Sequence, residues 1–420
     1  MTDTVFALAT PPGRSGVAVM RLSGPDAFAA AARLCPRGLP APREAAVRWI
    51  EWDGARIDEA LVLVFPSPRS FTGEDVVELQ THGSPAVIRE LSYILGGPLG
   101  LTPAGPGEFT RRALLNGRLS VAQVEGLGDL IEAETLRQHR QSVSLFSGEA
   151  GRRAERWRGM LLRAMALYET MIDFVDDDVP TDLSDQAEEI LIDLRRELAQ
   201  AVRQARSGAA VREGFEVAVV GAPNAGKSSV INYLAGRKAA IVSPVPGTTR
   251  DVIELRYDLQ GLPVTFLDTA GLRETADEVE AEGVAIAAER ADAAALRVFL
   301  SPPSDVPRVK KREGDIVRRS FRDTDPDADI SPITGEGINE LLADIRRELE
   351  GRLVEGGPFT RQRHAACLEA AAKALQMVPD DPELRAHACQ AAAASLDELI
   401  GRIGTETVLS EIFSSFCIGK

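Results

Sequence analysis

The sequence predicts a multidomain chain: an α+β N-terminal domain, an all-α helical domain, and an α/β domain inserted into the helical one. Three observations carry this. The chain has 420 residues, beyond the roughly 250 to 300 at which one hydrophobic core stops growing. Its hydrophobic period changes from short β-like runs to three- and four-residue spacing, then to alternating strand and helix signals, then back to Ala-rich helix. Gly and Pro punctuation thins out from about Val121 to Ser207.

Residues 1 to about 118 contain β-like runs at Gly16 to Leu22, Ala60 to Phe65 and Asp75 to Gln80, separated by turn residues and a few helices. From Val121 to Ser207, apolar residues such as Leu161, Leu162, Met165, Leu167 and Tyr168 recur as on amphipathic helices. Near Phe215 the run FEVAVV reads as a buried strand, followed by a Gly-rich loop and by alternation to about Glu350, the pattern of a doubly wound α/β domain. After Arg352 the helical pattern resumes to the end. The α/β domain therefore separates two parts of one helical domain.

At 44% hydrophobic and 26% charged residues, the chain can build cores without disulfides. Cys35, Cys367, Cys389 and Cys417 show no paired spacing, which suits a reduced, cytoplasmic setting. The pair His387 and Cys389 reads as a helix face and not as metal ligands. No apolar stretch approaches the ~18 residues of a membrane span, and MTDTVFALAT lacks a targeting pattern. A formal charge of -15 excludes a protein that coats nucleic acid non-specifically, although a shaped RNA can still use a local patch. Basic residues are 42 Arg against six Lys, so the positions that keep Lys are informative. Lys227 and Lys420 are two of them.

Lys227 lies in GAPNAGKS, Gly221 to Ser228, which fits GxxxxGK(S/T) between a strand and a helix. A chance match in a chain this long is on the order of one in a hundred. Loop N–H groups and the positive helix end suit phosphate oxygens, Lys227 suits β and γ charge, and the Ser228 hydroxyl suits Mg²⁺. Downstream stand Pro246, Gly247, Thr248, Thr249, Arg250 and, closing a second apolar run, Leu267, Asp268, Thr269, Ala270, Gly271. In order and position these resemble the switch elements of Ras-like P-loop GTPases. The resemblance implies that Thr249 completes the Mg²⁺ shell, Asp268 holds the metal through water, and the Gly271 N–H senses the γ-phosphate.

Position 272 is where many signalling GTPases carry the Gln that orients water. Here it is Leu272, which can neither orient water nor carry charge. The acidic run Glu274, Asp277, Glu278, Glu280, Glu282 offers substitutes, although such a run is more often a solvated helix face.

Three further segments, GEFTRRALLNGRLS at 107–120, GEDVVELQTHGS at 73–84 and the terminal FCIGK at 416–420, join DTAGLRE at 268–274. Together they make the whole chain resemble the family of the tRNA modification GTPase MnmE, or TrmE. The resemblance implies a homodimer that works with the flavoprotein MnmG on tRNA. The pair would add a carboxymethylaminomethyl or aminomethyl group to C5 of the wobble uridine, U34. It implies four segments: residues 1–118 for tetrahydrofolate binding and dimerisation, 119–211 and 353–420 for the helical domain, and 212–352 for the inserted G domain. The one-carbon unit would come from a 5-formyl- or methylene-tetrahydrofolate held at Arg21, Glu78, Arg118 and Lys420. In that reading Glu78 accepts from pterin donors, while Arg21, Arg118 and Lys420 suit glutamate carboxylates or phosphate-like anions. Residue type alone would make all four surface charges.

The same resemblance implies a K⁺ ion in place of an arginine finger, held by Asn224, Ser243, Val245 and Thr248 and completed when two G domains meet. A fixed cation stabilises the charge of a loose phosphoryl-transfer transition state. Glu280 matches the carboxylate that orients water. GTP or GDP would contact Asn224, Ala225, Gly226, Lys227, Ser228 and Ser229, then Ser243, Pro244, Val245, Pro246, Gly247, Thr248 and Thr249, then Asp268, Thr269, Ala270, Gly271 and Asp323.

Three positions depart from the family: Ser84 where a second Gly is usual, Arg118 where Lys is common, and the guanine motif. In place of Asn/Thr-Lys-x-Asp, the best match is Ser320, Phe321, Arg322, Asp323, after a strand-like run from Asp315 to Val317. Lys310 to Glu313 precedes that run and fits less well. A GTPase switch that binds RNA or ribosomes would share the G domain, but it has no place for the terminal FCIGK. A folate-dependent enzyme with a relic G domain would show no GTP turnover.

Overall fold

Alternation of burial runs along the central strands of the N-terminal sheet. In Val76–Gly83, Val77 and Leu79 are buried while Glu78 and Gln80 are half-buried. In Ser15–Ser23 it is Met20 and Leu22 that are buried, with Arg21 between them. The structure, a computed structural model, describes residues 3–173, 183–222, 224–241, 254–268, 289–300, 311–354, 356–376, 379, 381–402, 413, 416 and 419. Two compact units divide the chain: Met1–Gly128 with Ile400–Lys420, and Asp129–Leu399.

In the first unit the order is β1 (Val5–Leu8), β2 (Ser15–Ser23), α1 (Ala27–Leu34), β3 (Ala46–Trp52), β4 (Ala55–Phe65), β5 (Val76–Gly83), α2 (Pro85–Gly96), β6 (Thr102–Pro103), α3 (Glu108–Leu115) and the start of α4 (Val121–Glu132). The sheet runs β3-β4-β5-β2-β1-β6, antiparallel except for the β1–β6 pair. One face packs Met20, Leu22, Ile50, Val62, Val77 and Leu79 against Ala31 and Leu34 of α1 and Leu91, Ile94 and Leu95 of α2. Each buried Val, Leu, Ile or Met among them contributes ~1.5–3 kcal/mol. The two-residue period therefore places Arg21 and Glu78 on the opposite face. Ser84 precedes α2 at φ -85, a conformation open to any residue, so no glycine is required there. Phe413 and Phe416, from the C-terminal segment, pack with Val121 and Val124.

The second unit continues with α5 (Leu136–Phe146), α6 (Glu149–Asp173), α7 (Leu183–Glu213), β7 (Phe215–Val220), α8 (Lys227–Ala235), β8 (Ala240–Ile241), β9 (Glu254–Leu259), β10 (Leu262–Asp268), β11 (Leu296–Phe299), β12 (Ile316–Val317), α9 (Ile338–Gly351), α10 (Gln362–Ala374) and α11 (Pro382–Ile400). The buried seam of α6 is Ala150, Ala154, Trp157, Leu161, Ala164 and Tyr168, and that of α7 includes Ala187, Leu191, Leu194, Leu198, Ala201 and Ala205. Both alternate steps of four and three residues, which suits two helices packed side by side. The amphipathic reading holds, but Leu162 is 46% exposed and lies outside the seam.

The second sheet runs β12-β11-β7-β10-β9-β8. β7 is parallel to β10 and β11, and β11 to β12, while β9 and β8 add an antiparallel edge. Both faces of β7 are covered: Val217 and Val219 meet α8 and α9 residues such as Ile231 and Leu341, while Ala218 and Val220 meet Ala291, Ala294 and Phe299. A central strand buried on both sides has to read as an unbroken apolar run, which is why FEVAVV does. The fold class is the one predicted, an α+β N-terminal domain and a helical domain carrying an α/β P-loop domain. Among the described residues no helix is long and apolar enough to cross a membrane.

Candidate nucleotide site

The loop between β7 and α8 stands at the carboxyl end of the central parallel strand, where α/β sheets bind ligands. Gly226 caps α8 at φ +86, and Asn224 is left-handed at φ +63. Glycine adopts such a φ freely, and Asn does so more readily than most residues. The first N–H groups of a helix have no partner within it, so α8 presents donors and the positive end of its dipole to the loop. Lys227 is only 7% exposed. Its ammonium folds back on the loop, donating to the carbonyls of Gly221 at 2.8 Å and Ala222 at 3.0 Å. This puts a fixed positive charge inside the curl that a phosphate chain would follow.

Asp268 closes β10, next to β7, and accepts a 2.7 Å hydrogen bond from the Ser228 hydroxyl. A carboxylate and a hydroxyl at this separation are hard oxygen donors that can share a Mg²⁺ shell, which usually keeps several waters. The pair therefore fits the ion. Among the described residues no group of three His, Cys, Asp or Glu forms a metal cluster. Gly221, Ala222 and Asn224 to Ser229 are thus brought together with Asp268. Ser243, Pro244, Val245, Pro246, Gly247, Thr248, Thr249, Thr269, Ala270, Gly271, Leu272 and Glu280 lie outside the described residues.

The segment after β12 reaches the same loop. The Ser320 hydroxyl donates to the Ala225 carbonyl, and a Cβ on Gly226 would lie 3.6 Å from the Phe321 ring. Asp323 faces Ser331, whose hydroxyl donates to its Oδ1 at 2.7 Å. Ser331 is fully buried and also accepts from the N–H groups of Ile333 and Thr334. The structure thus brings Ser320 and Phe321 to the phosphate loop and braces Asp323 from behind. Sequence reasoning missed Ser331. Its signal was a Ser opening the turn that leads into α9, a common place for a hydroxyl to organise backbone.

In the N-terminal unit, Arg21 donates through Nε to Glu78 Oε1 at 2.9 Å, and its Nη2 is also 2.9 Å from that oxygen. Its Nη1 donates to the Gly419 carbonyl at 3.3 Å, so the residue before Lys420 is held at this pair. The guanidinium also lies over the rings of Phe71 at 5.9 Å and Phe109 at 5.5 Å. Arg118 lies against the segment that joins β4 to β5, its Cγ 3.2 Å from where a Cβ on Gly73 would stand. Lys420 lies outside the described residues. Sequence reasoning treated Arg21 and Glu78 as separate charges; the structure bonds them to each other. A carboxylate acceptor beside aromatic rings fits the flat, donor-rich edge of a pterin. Below the pair, Arg112 is 1% exposed and bonded to Glu108 at 2.9 Å and Glu74 at 3.0 Å. Burial pushes its guanidinium down, but these two carboxylates outweigh it and raise the group.

A family profile described as the MnmE helical domain matches residues 121–417, and one described as the GTP-binding protein TrmE N-terminus matches residues 4–118. The tRNA modification GTPase MnmE of Ruegeria pomeroyi is 48% identical over 428 residues, spanning 100% of both chains. Those of Cereibacter sphaeroides and Dinoroseobacter shibae are 50% and 48% identical over 428 and 429 residues, again across 100% of both. Among solved structures, Aquifex aeolicus Era bound to GDP and AlF4⁻ is 25% identical over 38% of this chain and 66% of its own, with a TM-score of 0.25. A score that low carries no argument. The relatives and profiles do: the chain belongs to the MnmE family of tRNA modification GTPases.

Proposed function

We propose that this chain binds and hydrolyses GTP and uses that cycle, as a homodimer with the flavoprotein MnmG, to modify C5 of the wobble uridine of tRNA. The observation that carries the reading is the convergence of Lys227, Ser228 and Asp268 at the carboxyl ends of β7 and β10, with Ser320, three residues ahead of Asp323, bonded to the same loop. Lys227 neutralises phosphate charge, Ser228 and Asp268 hold Mg²⁺ with Thr249, and Asp323 reads the base. Asn224, Ser243, Val245 and Thr248 hold K⁺, which supplies fixed positive charge to the transferring phosphoryl group. Glu280 orients the water that Leu272 cannot.

Residues 1–118 hold the folate, with Glu78 accepting from the pterin edge while Arg21 aligns that carboxylate and Arg118 and Lys420 meet the anionic tail. The Arg21 contact to Gly419 supports a role for the C-terminal residues at this site. Residues 119–211 and 353–420 form the helical domain and 212–352 the G domain. The test is mass spectrometry of wobble uridine in tRNA from cells lacking the chain, together with GTP turnover by the purified protein. Normal modification in those cells would overturn the reading, and absent turnover would point to a folate protein with a relic G domain.

A further inference from the structure

Both chain crossings between the helices and the second sheet converge on one carboxylate. The Asp129 side chain is 5% exposed. Its Oδ1 accepts from Arg212 Nε at 2.7 Å, in the last turn of α7 just ahead of β7. The same oxygen accepts from Arg361 Nη2 at 2.7 Å, at the residue that caps α10, and Oδ2 accepts from the Thr360 hydroxyl at 3.4 Å. The segment leading into the sheet and the segment leading out of it are therefore tied through a single group.

The two crossings also touch each other. Ser207 and Val354 exchange hydrogen bonds of 3.1 Å, and a Cβ on Gly208 would fall 2.3 Å from the Phe359 carbonyl. From α5, Gln138 donates to the Arg212 carbonyl at 3.1 Å and Gln141 to that of Gly208 at 2.7 Å. A cavity of about 190 Å³ lies beside the carboxylate, lined by residues that include Asp129, Gln138, Gln141, Arg212 and Thr360. A second link starts close by: Glu134, in the turn between α4 and α5, pairs with Arg256 of β9 at 3.0 Å. β9 is the strand that follows the segment containing Ser243 to Thr249.

We propose that the Asp129 clasp and the Glu134–Arg256 strut form the joint that sets the nucleotide domain on the helical body and passes nucleotide state between them. A buried carboxylate stripped of its partners is strongly unfavourable, so the two crossings must shift together around Asp129. Movement of β9 reaches the clasp through Glu134, which lies on the turn that follows the Asp129 helix. The transmission half rests on the reading of 243–249 as nucleotide-sensing, whereas the clasp half does not.

The test is amide hydrogen exchange on the full chain, without nucleotide, with GDP, and with a non-hydrolysable GTP analogue. Without nucleotide, Asp129→Asn should speed exchange about tenfold or more across both 207–214 and 352–361. Should that variant fail to fold, Arg361→Gln leaves the Arg212 bond intact, and the clasp requires it to loosen 207–214 as well as 352–361. Loosening of 352–361 alone would overturn the clasp. In the wild type, exchange at both crossings should differ between GDP and the analogue. Glu134→Arg should erase that difference, and adding Arg256→Glu should restore it, with GDP affinity kept within about twofold because the pair is partly exposed. A difference that survives Glu134→Arg would overturn the strut. A wild type that binds no guanine nucleotide would overturn the site reading and the transmission half, while the nucleotide-free arm still decides the clasp.

Discussion

Asp323→Asn isolates the base contact because the surroundings dictate how the new amide must turn. The Ser331 oxygen already accepts from the N–H groups of Ile333 and Thr334, so its proton is committed to Asp323 Oδ1 at 2.7 Å. An Asn here will keep its carbonyl oxygen toward that proton and present its NH₂ to the base. Guanine offers N1–H and N2–H₂ on that edge, so donor meets donor. A hydrogen bond to a charged group contributes ~1.5–3 kcal/mol, and the exposure of Asp323 favours the lower part of the range. Losing one bond and opposing the second should cost about 2–4 kcal/mol, or roughly 30- to 1,000-fold in GDP affinity. Xanthine carries an oxygen at position 2 that accepts from the new amide, so XDP should gain as GDP loses. Calorimetric titration of GDP, XDP and ADP into wild type and variant reads all of this. The reasoning fails if ADP matches GDP on the wild type, or if the variant holds GDP within about twofold and gains nothing for XDP.

Other consequences can be measured directly. Asn224→Gly should bring GTP turnover in K⁺ down to its level in Na⁺. Gly is preferred to Ala here because Ala would add ~1 kcal/mol or more of left-handed strain at φ +63; a K⁺ advantage that persists rejects the cation role. Glu78→Gln should weaken 5-formyl-tetrahydrofolate binding about tenfold by calorimetry, through loss of a charged acceptor, and equal affinity would remove Glu78 from the site. Gly208→Ala should lower stability by ~1–3 kcal/mol in denaturant titrations, because its Cβ would overlap the Phe359 carbonyl; an unchanged midpoint would show that α7 and the exit segment are not in close contact. Burial pushes the Cys35 and Cys389 thiols from 9.0 up to about 11. The unfolded chain therefore loses these protons first, and stability should fall as pH rises from 9 toward 11. At pH 8 both thiols should resist maleimide until the chain unfolds, and fast native labelling would contradict their burial.

Local patterns were legible wherever one residue type meets one local demand. FEVAVV announces a buried strand, and GAPNAGKS announces a loop that leaves a strand and opens a helix, both of which the structure shows; the left-handed Asn224 and the buried Lys227 came only from the structure. Alternation in β2 and β5 likewise places Arg21 and Glu78 on one side of the sheet. That they bond to each other was not legible, because register between strands is set by the whole sheet and not by either strand. Ser331 and Asp129 were invisible for a similar reason. A lone Ser or Asp carries no periodic signal, and Asp129 acquires its meaning from Arg212 and Arg361, which are 83 and 232 positions away. The helical stripe was read from bulky residues, whereas the seam of α6 is half alanine, and alanine marks close approach more quietly than leucine does.

The contact of Ser207 with Val354 and of Gly208 with Phe359 means that the polypeptide leaves the helical body and returns to it at nearly the same place. Seen from that body, the whole nucleotide domain is a detour rather than a span. A short loop joining the two sides could close the gap, and the helices would lose no turn of their own packing. Insertions of this kind are easy to gain, exchange or replace, because neither partner has to relearn its fold. Evolution could therefore retune the nucleotide domain without disturbing the helices that carry it.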